Sequence, residues 1–142
     1  SPALSVECWV KTASDFTGGM VEKTIAGAVN THYQLYLSNT AVVFGIVHTV
    51  SGIITISSDA GVSLNQWHHC VGTWDGTTQK LYVDGVLQAA TSVDTNVLVT
   101  GDGVTLFGIL GSSIFDLAGS LQHIAIYGSA LSAARVRAHS LL

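Results

Sequence analysis

Apolar and polar residues alternate along most of this chain with a period of two. Leu4, Val6, Cys8 and Val10 alternate with Ser5, Glu7, Trp9 and Lys11, the pattern of a strand with one face buried. Similar runs recur every 10 to 15 residues, separated by Gly, Asn, Asp and Ser clusters. They predict strands at Met20–Ile25, His32–Ser38, Ala41–Val47, Ile53–Ser57, Trp67–Trp74, Gln79–Val83, Val86–Ala89, Val104–Ile109 and Ser120–Tyr127. The sharpest turn signal is Asp84-Gly85 between two apolar runs. Both central residues of such a two-residue hairpin need positive φ, which predicts Val83 opposite Val86 and Tyr82 opposite Leu87.

A helical period appears near the end of the chain. Ser132 is placed to cap a short helix over Ala133–Ala138, with Leu131 positioned to staple against Val136. These elements define an all-β, antiparallel two-sheet jelly-roll sandwich with one short C-terminal helix. An immunoglobulin domain fits less well, because Cys8 and Cys70 are 62 positions apart and no Trp stands between Trp9 and Trp67, so the Cys…Trp…Cys pattern fails.

Composition narrows the classes. With 142 residues the chain is one domain, 1–142, and long enough to bury a core without staples. Val, Ile and Thr number 17, 9 and 14, a β-branched content suited to pleated, buried surfaces. Apolar residues make up 48% and charged ones 10%, yet no apolar run reaches the length of a membrane-spanning helix. Five scattered Lys and Arg form no stripe for nucleic acid. The chain starts at Ser1 and enters a strand pattern almost at once, so it reads as a segment of a longer or processed chain. Cys8 and Cys70 sit in apolar strand patterns, where buried free thiols are ordinary; a bridge between them would need close, well-oriented strands.

Five blocks, taken together, resemble the laminin-G-like, concanavalin-A-like lectin/glucanase jelly rolls. They are Leu4–Lys11, Asn65–Gly76 with its Trp67-His68-His69, Leu81–Val86, Gly119–Tyr127 and Ala130–Ala134, in the family's order. The resemblance implies glycan or protein binding through rim loops. Members usually carry one more strand ahead of the first block. This implies a strand supplied from outside the 142 residues, by a neighbouring subunit or a preceding chain segment. Acidic residues that often hold a structural calcium in the last strand are replaced here by Gln122 and His123, and a Glu early in the closing helix by Arg135.

Candidate chemistry is sparse. A glycosidase needs two carboxylates about 5 to 10 Å apart, which this fold typically presents at alternate positions of one strand. No Asp or Glu here has another two or four positions away; Glu7 and Glu22 stand alone on their strands. Adjacent His68 and His69 face opposite sides of a strand and cannot share a metal; one is expected to pack inside, bonded to a turn backbone, and the other to lie outside. Asp94, Asn96 and Asp102 cluster in one loop, with Asp59 and Asp116 able to join through folding. Oxygen-rich loops suit calcium, and the same residues equally suit plain turn chemistry. Trp9, Trp67, Trp74, Tyr36 and Phe44 can form a sugar-stacking platform or ordinary packing, and the sequence singles out none as exposed.

The reading that follows is a non-catalytic recognition module, not an enzyme, binding a glycan or protein surface outside the cell, at a cell surface or on a virion. No cofactor is implied beyond the structural calcium just weighed, and the ligand-binding and metal residues stay unassigned. The alternative is a decoration, fibre or packing domain of a virion or cell-surface assembly.

Overall fold

The computed structural model describes residues 2–24, 31–97, 99, 103–108 and 116–142. Its strands are β1 (Leu4–Thr12), β2 (Gly18–Thr24), β3 (Thr31–Ser38), β4 (Ala41–His48), β5 (Gly52–Gly61), β6 (His68–Trp74), β7 (Thr78–Val83), β8 (Val86–Val93), β9 (Val104–Phe107) and β10 (Gly119–Tyr127), followed by helix α1 (Ala133–Ser140). Two five-stranded sheets run β10-β1-β6-β7-β8 and β5-β4-β3-β2-β9, and every described pairing is antiparallel. This is the jelly-roll sandwich that the alternation predicts. The ends predicted at Ile25 and Ile109 lie outside the described residues.

The inward residues of β1 (Leu4, Val6, Cys8 and Val10) meet Met20, Leu35, Leu37, Phe44 and Ile46 of the other sheet in one core. Gln79 is the polar tie across that core. Its Nε2 donates to the carbonyls of Phe44 (3.0 Å) and Ile54 (3.2 Å), and its Oε1 accepts from Ser92 Oγ (2.8 Å). A buried amide satisfied on both ends specifies how the sheets stack. Cys8 stands opposite Cys70 in the β1–β6 register, and both are buried free thiols. Burial pushes the Cys8 thiol up to about 12, so it has no thiolate character at neutral pH.

β1 is an interior strand, paired with β10 on one side and β6 on the other, so the edges of its sheet are β10 and β8. β5 runs on to Gly61, past the predicted Ser57, because its polar residues bulge rather than stop. Ser58 Oγ accepts from Val42 N (3.0 Å) and donates to Ala60 O (2.7 Å). The Asp59 carboxylate then accepts from Ala89 N (3.0 Å) and so stitches β5 to the edge of the other sheet.

The hairpin forms in the predicted register, with φ of 51° at Asp84 and 78° at Gly85. Ser132 caps α1 by accepting from Arg135 N, and Val136 is buried against Val71, Tyr82 and Leu131. The helix thus lies on the outer face of β6 and β7. Gly85 lies under its last turn, where an added Cβ would meet Ser140 Oγ at 2.4 Å. Gly85→Val is therefore expected to cost about 1 kcal/mol or more, from the left-handed backbone and the displaced helix end. An unchanged melting temperature would contradict this.

Candidate binding groove

The groove is built on the outer face of β1. There Glu7, Trp9 and Lys11 alternate with core residues, so all three point away from the sandwich interior. Trp9 stands opposite His69 on β6 and Gln122 on β10, while Glu7 stands opposite Val71 and Ala125. Two residues of β1 thus span three of β10, and the slack is a bulge at His123 and Ile124. His123 takes φ of 50°, a left-handed conformation that few residues with a β-carbon adopt. The bulge opens a hollow of about 480 Å³ whose lining includes Glu7, Trp9, His123, Tyr127 and His139. A smaller hollow of about 180 Å³, lined by Trp9, Trp67, Gln122, His123 and Leu142, shares Trp9 and His123 with it.

Glu7 forms the floor. It is 4% exposed and accepts four hydrogen bonds. His69 Nε2 (2.6 Å) and His139 Nδ1 (2.9 Å) donate to Oε1; Tyr127 OH (2.8 Å) and His139 Nδ1 again (3.1 Å) donate to Oε2. Burial alone would raise its pKa. The bonds from His69, Tyr127 and His139 outweigh that and hold the carboxyl at about 2. Glu7 is consequently an ionised anchor joining β1, β6, β10 and α1, and it has no proton to give at neutral pH.

The aromatic rim lies beside this floor. Trp9 and Trp67 are both half-buried. The Trp9 ring packs 5.1 Å from that of His69, and Lys11 Nζ sits 5.3 Å above the Trp67 ring. Gln122 and His123 stand exposed next to them. The other aromatic candidates separate cleanly: Trp74 and Phe44 are fully buried in the core, and Tyr36 belongs to the second sheet.

His68 and His69 do face opposite sides, but their ring nitrogens meet side chains, two carboxylates and the Ser63 hydroxyl, rather than the turn backbone expected. His69 bonds Glu7, and His68 bonds Asp84 at 2.8 Å. No local signal could pair Glu7 with residues 62 and 132 positions away; only strand register and helix docking do so. Glu22 is likewise buried in its strand. In the proposed calcium loop, Asp94 spends Oδ1 on Asn96 N (2.7 Å), and Asn96 Nδ2 donates to Ser51 Oγ (2.6 Å), which is turn chemistry. Asp59 is occupied by Ala89, Asp116 is exposed, and Asp102 lies outside the described residues. Among the described residues, no group of three or more His, Cys, Asp or Glu is arranged to hold a metal ion.

A two-sheet jelly roll with this strand order and closing helix defines a lectin-like sandwich. The chain matches the model of the Concanavalin A-like lectin/glucanases superfamily over residues 1–137 and belongs to that family. No curated protein matches it in sequence. Among solved structures it is similar to the CBM40 of a Ruminococcus gnavus IT-sialidase bound to α2,3-sialyllactose, at 21% identity and a TM-score of 0.81, covering 98% of this chain and 83% of that one. It is also similar to the botulinum neurotoxin type G receptor binding domain (13% identity, TM-score 0.76) and the serotype D binding domain (17%, 0.78). The alignments cover 99% of this chain in both cases, but it spans only 38% and 36% of those chains. At these identities the likeness is one of fold.

Proposed function

We propose that the domain is a recognition module, one part of a longer extracellular or surface chain, that binds a glycan without cleaving it in the groove over Trp9 and Trp67. The observation that carries this is the pairing of two half-exposed tryptophans on one open sheet face, with Gln122 and His123 beside them. Sugar rings present C–H faces that pack on indole and hydroxyls that need nearby donors and acceptors, and this rim supplies both. Two of the similar structures, a carbohydrate-binding module and a receptor binding domain, bear names consistent with such a role. Glycoside cleavage would require a second carboxylate and a protonated acid. Among the described residues, Glu7 is the single acidic side chain lining these hollows, and its bonding keeps it ionised. No helix among the described residues is long and apolar enough to cross a membrane.

The test is a glycan array followed by calorimetry on the best ligand, with sialyllactose and lactose included as probes. Trp9→Ala and Trp67→Ala should each weaken binding by about tenfold, the effect of losing roughly 1.4 kcal/mol of stacking. Tyr36→Ala, on the other sheet, should leave affinity unchanged. Binding that survives both tryptophan changes would move the site elsewhere, and an array without any retained glycan would overturn the reading.

A further inference from the structure

We propose that Ser63, His68 and Asp84 form a nucleophilic constellation, with Ser63 able to accept an acyl group from an activated carboxylic ester. The site is separate from the glycan groove. His68 stands opposite Val10, whose side chain belongs to the core, whereas Trp9 and His69 point out through the other face.

Three separate segments meet here. Ser63 lies in the loop between β5 and β6, His68 opens β6, and Asp84 is the first turn residue of the β7–β8 hairpin. Asn65, at φ of 60°, donates its N–H to Thr12 O (2.7 Å) and fixes the path of that loop. Asp84 N donates to His69 O (2.8 Å), and His69 N donates to Asp84 Oδ1 (2.9 Å), which locks the carboxylate in place. His68 Nδ1 then lies 2.8 Å from Asp84 Oδ2, and His68 Nε2 lies 2.8 Å from Ser63 Oγ.

In the neutral imidazole, a carboxylate accepting at Nδ1 places the hydrogen there and leaves the lone pair on Nε2. The Ser63 hydroxyl must therefore donate to Nε2, the arrangement in which a histidine removes a serine proton. In the reaction, Ser63 Oγ bonds to the ester carbonyl carbon as its proton passes to His68 Nε2. Collapse of the adduct breaks the bond to the leaving alkoxide or phenoxide, which takes the proton from His68 and leaves Ser63 acylated. Water, deprotonated by the same imidazole, then attacks the acyl carbon; the bond to Ser63 Oγ breaks, that oxygen takes the proton back from His68, and the acid is released. Ser63 is solvent-exposed, so water solvates the developing oxyanion in place of fixed donors. Since one such donor contributes about a hundredfold or more in rate, the reaction is confined to esters with good leaving groups.

The same hydrogen bonds would also pin the loop to the hairpin mechanically, so the experiment must read chemistry. The folded protein is treated with a fluorophosphonate probe, which bonds phosphorus to Ser63 Oγ and expels fluoride, and the adduct is mapped by peptide mass. p-Nitrophenyl acetate supplies a second readout, a burst of nitrophenolate. Labelling should fall on Ser63, vanish in Ser63→Ala, and slow by about a hundredfold in His68→Gln. It should slow by about tenfold or more in Asp84→Asn, which offers Nδ1 the wrong partner yet keeps a favoured Asn-Gly turn and hence the fold. Circular dichroism and the melting temperature establish that the variants remain folded. Labelling elsewhere, equal labelling of the unfolded chain, or an Asp84→Asn variant as reactive as the parent would each overturn the proposal.

Discussion

Glu7→Gln is expected to destabilise the domain by about 3 kcal/mol at pH 7, and to do so through the acid limb of its stability curve. A carboxyl that ionises at about 2 when folded, against an ordinary 4.5, contributes about that much wherever it is charged in both states. Because the folded value is the lower one, the contribution is fully present above about pH 4.5 and is lost as the pH falls towards 2. The amide also turns a donor towards His69, Tyr127 and His139, all of which donate to Glu7 in the parent. Urea denaturation at pH 7 and pH 2.5 checks both parts. The parent should lose markedly more stability between these values than the variant does. Asp75 and Asp94, both also held below their ordinary range, contribute to acid sensitivity in each protein, so the difference isolates Glu7. Acid limbs of equal depth would show that the four-bond cluster is not what keeps Glu7 ionised.

Gly72→Ala should cost a comparable amount, about 3 kcal/mol, by overpacking. Gly72 lies on β6 between Val6 and Leu81, and an added Cβ would fall 2.2 Å from Phe44 Cδ2 and 2.3 Å from Cγ. Cβ atoms do not approach heavy atoms that closely, and Phe44 is fully buried with no free space to enter. In a domain of this size the melting temperature should drop by about 10 °C. Phe44→Leu in the same chain should relieve part of the cost, so that the double variant is less destabilised than the sum of the singles. A Gly72→Ala protein that melts with the parent would mean that the Phe44 ring is not seated on β6.

The glycine shows where sequence reading runs out. Within its apolar run Gly72 carries no sign of the ring above it, because Phe44 lies 28 positions earlier on the opposing sheet. By contrast, the strands were legible: alternation forces every second side chain to one face, and only one face of each strand can enter the core. The Asp84-Gly85 turn was legible for the same kind of reason, since its backbone conformation excludes most other residues. So was the Ser132 cap, a bond made within one helical turn.

Which outward faces stay open was settled only by tertiary structure. The sequence places Glu7, Trp9 and Lys11 together on one side of β1 without saying whether that side is open. It is decided by where α1 docks. Val136 sits over Val71 and Tyr82, which closes the β6–β7 half of the sheet and brings His139 to Glu7, while Trp9 and Trp67 are left as the rim of a hollow. The Ser63–His68–Asp84 alignment is of the same kind. His68 lies five positions after Ser63, a spacing that a loop alone does not translate into a hydrogen bond. Asp84 arrives only because β6 pairs with β7 in the register that puts Cys70 opposite Val83. Period and turn chemistry are local and survive in a single sequence, whereas register between distant strands is a cooperative outcome of the whole core.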